Sequence, residues 1–243
     1  MNLSIDRGNS RTKLGLFQGE QLIETLVIEK WSVEEIFDLA TNQSVKNIIL
    51  SNVAEGLPEE EREKFRNSFC FIELDANTPI PIINLYQTPQ TLGKDRLAAV
   101  LGAYQLYPEQ HCLVIDAGTC ITYDLLTADG KYLGGNIAPG MKMRLQAMHH
   151  FTARLPLISG GNSENWIGDS TENALINGAQ LGTILEIQGF IELSEAKLGV
   201  VTVIFTGGDA NFFVKKLKRE IFVNQNLVLI GLNKILNYNA KRL

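Results

Sequence analysis

The chain has 243 residues, 45% of them hydrophobic and 20% charged. That balance supports a sizeable buried core, in one large domain or two small ones, and excludes global disorder. A net charge of −5 argues against nucleic acid as a partner, and three cysteines without a CxxC pair exclude a disulfide scaffold or a cysteine-rich zinc site and suit a reducing cytoplasm.

The first residues show no basic stretch followed by an apolar run, so no signal peptide is expected. No apolar run approaches the ~18–20 residues of a membrane span, so no membrane partner is expected either. An apolar run leads to Ile5 and then Asp6-Arg7-Gly8-Asn9-Ser10. A second apolar segment and a turn at Gly19 follow, which reads as strand, tight turn, strand, turn, strand. Ser32 with Glu35 is a capping box, opening a helix whose apolar face includes Val33, Ile36, Phe37 and Ala40. Asn47–Leu50 reads as a buried strand ending in Ser51-Asn52. Pro58 opens a helix to about Phe69 whose Glu59-Glu60-Glu61 and Lys64 form a solvated face. A further helix is expected from Asp95 to Tyr107, stopped by Pro108.

The start then recurs. Ile115-Asp116-Ala117-Gly118 repeats Ile5-Asp6-Arg7-Gly8, Thr122 repeats Thr12, and both copies lie 110 positions apart. The second copy also runs into a turn, Asp129-Gly130. Two related half-domains are the natural inference. Met141, Met143 and Met148 near Leu145 read as helix packing. Ser170 to Lys197 reads as a long helix, with a break expected near Gly189. Val200–Phe205 reads as a buried strand before Thr206-Gly207-Gly208, and Leu227–Leu232 is short enough to be another.

A carboxylate at a strand end followed by Gly suits a tight turn whose outward amides cradle a phosphate, while the Asp holds a hydrated Mg²⁺. Asn9, Ser10, Arg11, Thr12 and Lys13 add donors. The same residue types also make an ordinary hairpin turn. Recurrence at Asp116-Ala117-Gly118-Thr119 favours two turns gripping one polyphosphate. Gly207-Gly208 suits close approach of a base or ribose, or a plain strand-to-helix turn. Asp95 and Arg96 fall at an expected helix N-terminus, where amides and dipole favour an anion such as a substrate carboxylate that Arg96 grips. A helix-start Asp with a surface salt bridge has the same sequence. His149 and His150, adjacent on a helix, point in different directions and suit solvent better than a metal. His111 reads as structural, and Cys120 as a small apolar residue rather than a nucleophile.

The order Asp-x-Gly, Asp-x-Gly-Thr, strand-Thr-Gly-Gly resembles the actin, Hsp70 and sugar-kinase superfamily. With Gly93-Lys94-Asp95-Arg96, Gly134-Gly135-Asn136-Ile137-Ala138-Pro139-Gly140 and Gly168-Asp169-Ser170-Thr171, the sequence resembles the type III pantothenate kinases over residues 6 to 210. The resemblance implies an α/β fold of two ribonuclease-H-like (actin-like) half-domains with a nucleotide cleft between them. These would span 1–108 and 109–243, with 233–243 packing back on the first. It implies ATP-dependent phosphorylation of the primary hydroxyl of pantothenate, giving 4'-phosphopantothenate in the first step of coenzyme A synthesis, in the cytoplasm.

Residue by residue, the resemblance makes Asp6, Arg7, Gly8, Asn9, Ser10, Arg11, Thr12 and Lys13 the first ATP site, with Asp6 placing Mg²⁺. Thr119 would contact the phosphates and Asp116 would ligate a monovalent cation, K⁺ or NH₄⁺. Tyr86, Gly93, Lys94, Asp95 and Arg96 would bind pantothenate, with Asp95 the general base. Thr171 would reach the pantothenate of the neighbouring protomer, so the working unit would be a homodimer. Arg7 stands where the family more often has an aliphatic residue, and Ser10 where it has Thr. Rival readings are a related sugar kinase or phosphatase, a nucleotide-binding module without chemistry, and a non-enzymatic regulator on the same scaffold. The presence of Asp6, Asp95 and Asp116 favours the enzyme over the regulator.

Overall fold

In a computed structural model of the chain, residues 1–8, 11–52, 56–161 and 165–240 are described. The elements begin with β1 (Asn2–Arg7), β2 (Thr12–Gln18), β3 (Gln21–Ile28), α1 (Val33–Asn42), β4 (Asn47–Asn52), α2 (Glu59–Ser68) and β5 (Cys70–Glu73). They continue with β6 (Ile83–Asn84), α3 (Lys94–Leu106), β7 (Cys112–Ala117), β8 (Cys120–Leu126), β9 (Lys131–Pro139) and α4 (Met141–His150). The last are α5 (Thr171–Leu198), β10 (Thr202–Thr206), α6 (Ala210–Val214), β11 (Phe222–Val223) and α7 (Leu227–Ala240). The chain divides into two units. One comprises Met1–Gln110, Leu126–Gly134 and Asn226–Leu243, the other His111–Leu125 and Gly135–Gln225.

In the first unit the strand order is β3-β2-β1-β4-β5. The hairpin strands are antiparallel, while β4 lies parallel to β1 and β5 parallel to β4. Strand side chains alternate between faces. Leu3, Ile5, Leu14, Leu16, Ile48 and Leu50 therefore share one face, which buries Val33, Ile36 and Ala40 of α1 and Phe65 of α2. Ser32 caps α1 by accepting from the Glu35 amide at 3.3 Å. Arg62 ties α2 to β5 through Glu73 at 2.7 Å.

The first unit also holds α3 and α7, which cross at glycines. A Cβ on Gly102 would meet the Leu227 carbonyl, and one on Gly231 would run into the Ala98 carbonyl oxygen. Backbone is thus in contact with backbone where the helices cross. An asparagine network fixes α7 against the strands. Asn2 Nδ2 donates to Asn233 Oδ1 at 2.9 Å and Asn237 Oδ1 at 2.8 Å, Asn47 Nδ2 donates to Asn2 Oδ1 at 2.8 Å, and Asn233 Nδ2 donates to the Gly19 carbonyl at 2.8 Å. The strand expected at Leu227–Leu232 is therefore a helix. A continuous apolar run does not separate a buried strand from a buried helix, and here helix-forming sequence continues to Ala240.

The second unit repeats the pattern. The six-stranded sheet runs β9-β8-β7-β10-β11, with β6 beyond β9. Strand β10 is parallel to β7, and β11 to β10. Each strand of the first sheet thus has a counterpart at the same place in the second, so the duplication is topological as well as textual. Leu113, Ile115, Ile121, Tyr123, Val203 and Phe205 bury against Ile187 and Ile191 of α5 and Phe213 of α6. Helix α5 is continuous from Thr171 to Leu198, so the expected break at Gly189 does not occur. A single Gly costs a helix interior only about 1 kcal/mol, and flanking helix formers offset it. None of Cys70, Cys112 and Cys120 is in a disulfide, and burial pushes the Cys112 thiol up to about 12. Among the described residues no helix is long and apolar enough to cross a membrane.

Candidate active site

The first Asp-x-Gly turn leaves the end of β1, where the Gly8 amide donates to the Arg11 carbonyl at 3.1 Å. Asn9 and Ser10 lie outside the described residues. Ile5 faces the apolar core, so Asp6 lies on the opposite face of the sheet, in register with Lys13 on β2 and Ser51 on β4. Arg7 returns to the core face, with its guanidinium 4.5 Å from the ring centre of Trp31. Thr12, its partner across the hairpin, is buried, while Arg11 is exposed. The structure thus brings Asp6 and Lys13 together and turns Arg7 onto an indole. Trp31 went unnoticed in the sequence because nothing local links it to residue 7.

The second turn is tighter. Strand β7 ends at Ala117 and β8 begins at Cys120, with the Gly118 amide donating to the Cys120 carbonyl at 3.0 Å. Asp116 pairs in register with Thr206 on β10. Gly207 follows with φ of +88°, and a Cβ there would strike both the Ala117 carbonyl and Asp116 Oδ1. Only glycine lets this backbone pass so close to the carboxylate. The Asp209 amide donates to the Ala117 carbonyl at 2.9 Å, holding the Gly207-Gly208 turn against the Asp116 turn. Thr119 is exposed, and its carbonyl accepts from the Gly140 amide at 3.0 Å just before α4. Arg144 of α4 is braced by the Pro139 carbonyl at 2.9 Å and by Glu186 at 2.7 Å, and Glu186 accepts from the Tyr123 hydroxyl at 2.8 Å. Burial first, then the hydrogen bond to Glu186 and its charge, raise the Tyr123 hydroxyl far above the ordinary tyrosine range.

A third cluster forms at the start of α3, whose N-cap is Gly93. Helix α3 begins at Lys94, one residue before the expected start. Asp95 Oδ1 accepts from the Arg96 amide at 2.8 Å and lies where a side chain on Gly93 would be. Arg96 is only 6% exposed. Its guanidinium lies 5.6 Å from the ring centre of Tyr86, which stacks on Tyr132 at 6.2 Å and 7°. The Tyr86 amide donates to Asn84 Oδ1 at 2.9 Å. Tyr86, Gly93, Asp95 and Arg96 are therefore one cluster: a cation flanked by an aromatic face, a carboxylate and a helix N-terminus. That set can bind an anion and accept a proton next to it.

Thr171 is the exposed first residue of α5, after Ser170, whose hydroxyl accepts from the Asn173 amide at 3.2 Å. His149 and His150 are both exposed, with His149 Nδ1 2.8 Å from the Leu155 carbonyl. Among the described residues no three His, Cys, Asp or Glu side chains form a metal cluster.

Residues 2–193 match the model of a family described as type III pantothenate kinase. A type III pantothenate kinase of Phocaeicola vulgatus is 44% identical over 241 residues, covering 99% of this chain and all of that one. Among solved structures, a Campylobacter jejuni protein described as a Baf-family transcriptional activator is similar with a TM-score of 0.63 and 25% identity, over 98% of this chain and 99% of that one. A Listeria monocytogenes protein described as an N-acetylmannosamine kinase has the same fold, with a TM-score of 0.60 at 14% identity over 98% and 99% of the two chains.

Proposed function

The chain belongs to the type III pantothenate kinase family, and on that footing we propose how it transfers the γ-phosphoryl group of ATP to the primary hydroxyl of pantothenate, the first step of coenzyme A synthesis. The observation that carries the reading is the Tyr86–Arg96–Asp95 cluster at the start of α3. Arg96 and the α3 amides bind the pantothenate carboxylate, and Tyr86 packs along its chain. Asp95 accepts the hydroxyl proton as the P–O bond forms.

The amides of the two Asp-x-Gly turns hold the triphosphate, together with Lys13, Arg11 and the Thr119 hydroxyl. Gly207-Gly208 lets the nucleoside approach the backbone. Asp6 is a single hard carboxylate beside a phosphate turn, which fits Mg²⁺ bound mainly by water and phosphate oxygens. Asp116 offers the same hard donor to K⁺ or NH₄⁺. Bound there, the two cations supply neutralisation of the triphosphate charge. Phosphoryl transfer passes through a loose transition state, so this positioning and neutralisation outweigh the strength of the base.

We assign the working unit to a homodimer. Thr171 is exposed, the stretch before it exposes Trp166 (77%) and Ile167, and α4 is followed by Phe151 at 81% exposure. Exposed aromatic surface of this kind suits cover by a second copy. The acidic charge suits a cytoplasmic enzyme.

Thermal shift with pantothenate, hexoses and simple carboxylic acids, each with ATP analogue present, tests the acceptor class. Ligand at about 100 times its Kd stabilises by about 2.7 kcal/mol, which for a chain of this size raises Tm by about 5–10 °C. That rise is expected with pantothenate alone. The same rise with a hexose and none with pantothenate would transfer the site to a sugar kinase.

A further inference from the structure

Two buried side-chain oxygens among the described residues have no hydrogen-bond partner, Ser4 Oγ and Ser51 Oγ. Ser51 is completely buried and follows Ile48-Ile49-Leu50 within β4. A hydroxyl in such a place is worse than a methyl group unless something uses it. Its position says what that is. In the parallel pair of β1 and β4, Ser51 is the register partner of Asp6. Neighbouring strands lie about 4.8 Å apart, and register partners in a parallel pair point to the same face. Leu50 and Ile5 both face the apolar core, so Ser51 and Asp6 stand side by side on the other face.

The second half repeats the arrangement. Asp116 has Thr206 as its register partner on β10, the strand equivalent to β4. A hydroxyl residue beside the turn aspartate thus occurs in both copies, although the turns themselves differ in length.

We propose that Ser51 is a positioning residue of the phosphate site: when the magnesium-bound nucleotide occupies the site, the Ser51 hydroxyl, unpartnered in the free chain, takes the neighbouring Asp6 carboxylate as its acceptor and fixes the rotamer in which Asp6 meets the nucleotide. The inference rests on the assignment of Asp6 to that site. A hydroxyl proton rotates freely toward a carboxylate oxygen. Ser4 lies two residues before Asp6 on the same face, in register with Ile49 rather than with a turn residue. It is buried and orphaned like Ser51 but not aligned with Asp6, which makes it the internal control.

The test is calorimetric titration with the non-hydrolysable analogue AMPPNP, with and without Mg²⁺, on the full chain and on Asp6→Asn, Ser51→Ala and Ser4→Ala. Asp6→Asn is expected to lose the tightening produced by Mg²⁺. Ser51→Ala should lose roughly tenfold of that tightening, the effect of a hydrogen bond to a charged group, with no fall in the Tm of the ligand-free protein. Ser4→Ala should bind like the unsubstituted chain. Full Mg²⁺ tightening in Ser51→Ala, with the loss confined to Asp6→Asn, would overturn the role of Ser51. An equal loss in Ser4→Ala would overturn it too, by tracing the effect to buried hydroxyls in general. Full tightening in Asp6→Asn would instead overturn the assignment of Asp6, and the role of Ser51 with it.

Discussion

Asp95→Asn is expected to lower kcat by about 10²–10⁴-fold, the range general base catalysis contributes, while leaving pantothenate binding nearly intact. The substitution is the mildest available. Asn keeps the size of Asp and an Oδ1 that can still accept from the Arg96 amide, now 2.8 Å away. The first turn of α3 therefore keeps its shape, and Arg96 keeps its place against Tyr86. What disappears is the ability to take a proton. Because the transition state is loose, the hydroxyl proton leaves late, which places the loss toward the lower end of that range. Steady-state kinetics with saturating ATP check it. A fall in kcat with little change in the KM for pantothenate supports the base. Near-normal kcat in a folded Asp95→Asn protein would remove Asp95 from the role. A KM raised with kcat intact would recast it as a binding group.

The same change, glycine to alanine, should have opposite signs at two helix positions. At Gly231 the new methyl group runs into the Ala98 carbonyl, so α7 and α3 must move apart. Overpacking of this kind costs about 1–3 kcal/mol, and contact with rigid backbone favours the upper part of that range. Tm should fall by about 4–12 °C. Activity should fall with it, because α3 carries Asp95 and Arg96 in its first turn. At Gly189, within α5, a Cβ meets nothing within 4 Å. Gly189→Ala should therefore raise stability by about 0.5–1 kcal/mol through helix propensity and a less flexible unfolded chain. Differential scanning calorimetry of both variants decides. A Gly231→Ala protein as stable as the parent would mean that the α3–α7 crossing is looser than the structure has it.

Local chemistry was legible in the chain, and long-range register was not. The hairpin turns, the Ser32 cap and the helix ending before Pro108 follow from residues within a few positions of one another. The duplication was legible as well, because its two copies keep the Asp-x-Gly signature. Leu227–Leu232 misled because a segment buried on several sides loses the periodicity that separates helix from strand. Gly189 misled because a glycine in open space weakens a helix without ending it. The clustering of Tyr86 with Arg96 joins two motifs of the candidate site that are each visible in the sequence. The stacking of Arg7 on Trp31 and the alignment of Ser51 with Asp6 were not legible there, because each depends on which strand or loop becomes a neighbour. Ser51-Asn52 was visible as a polar strand end, but only the pairing of β1 with β4 gives that end a partner.

The most direct measurement is ADP release with ATP, Mg²⁺ and ammonium, run with and without pantothenate, with 4'-phosphopantothenate quantified in the same samples. A pantothenate kinase forms ADP only when pantothenate is present, in equal amount with the phosphorylated product. ADP release at the same rate without pantothenate, or none under either condition from the folded protein, would contradict the assignment.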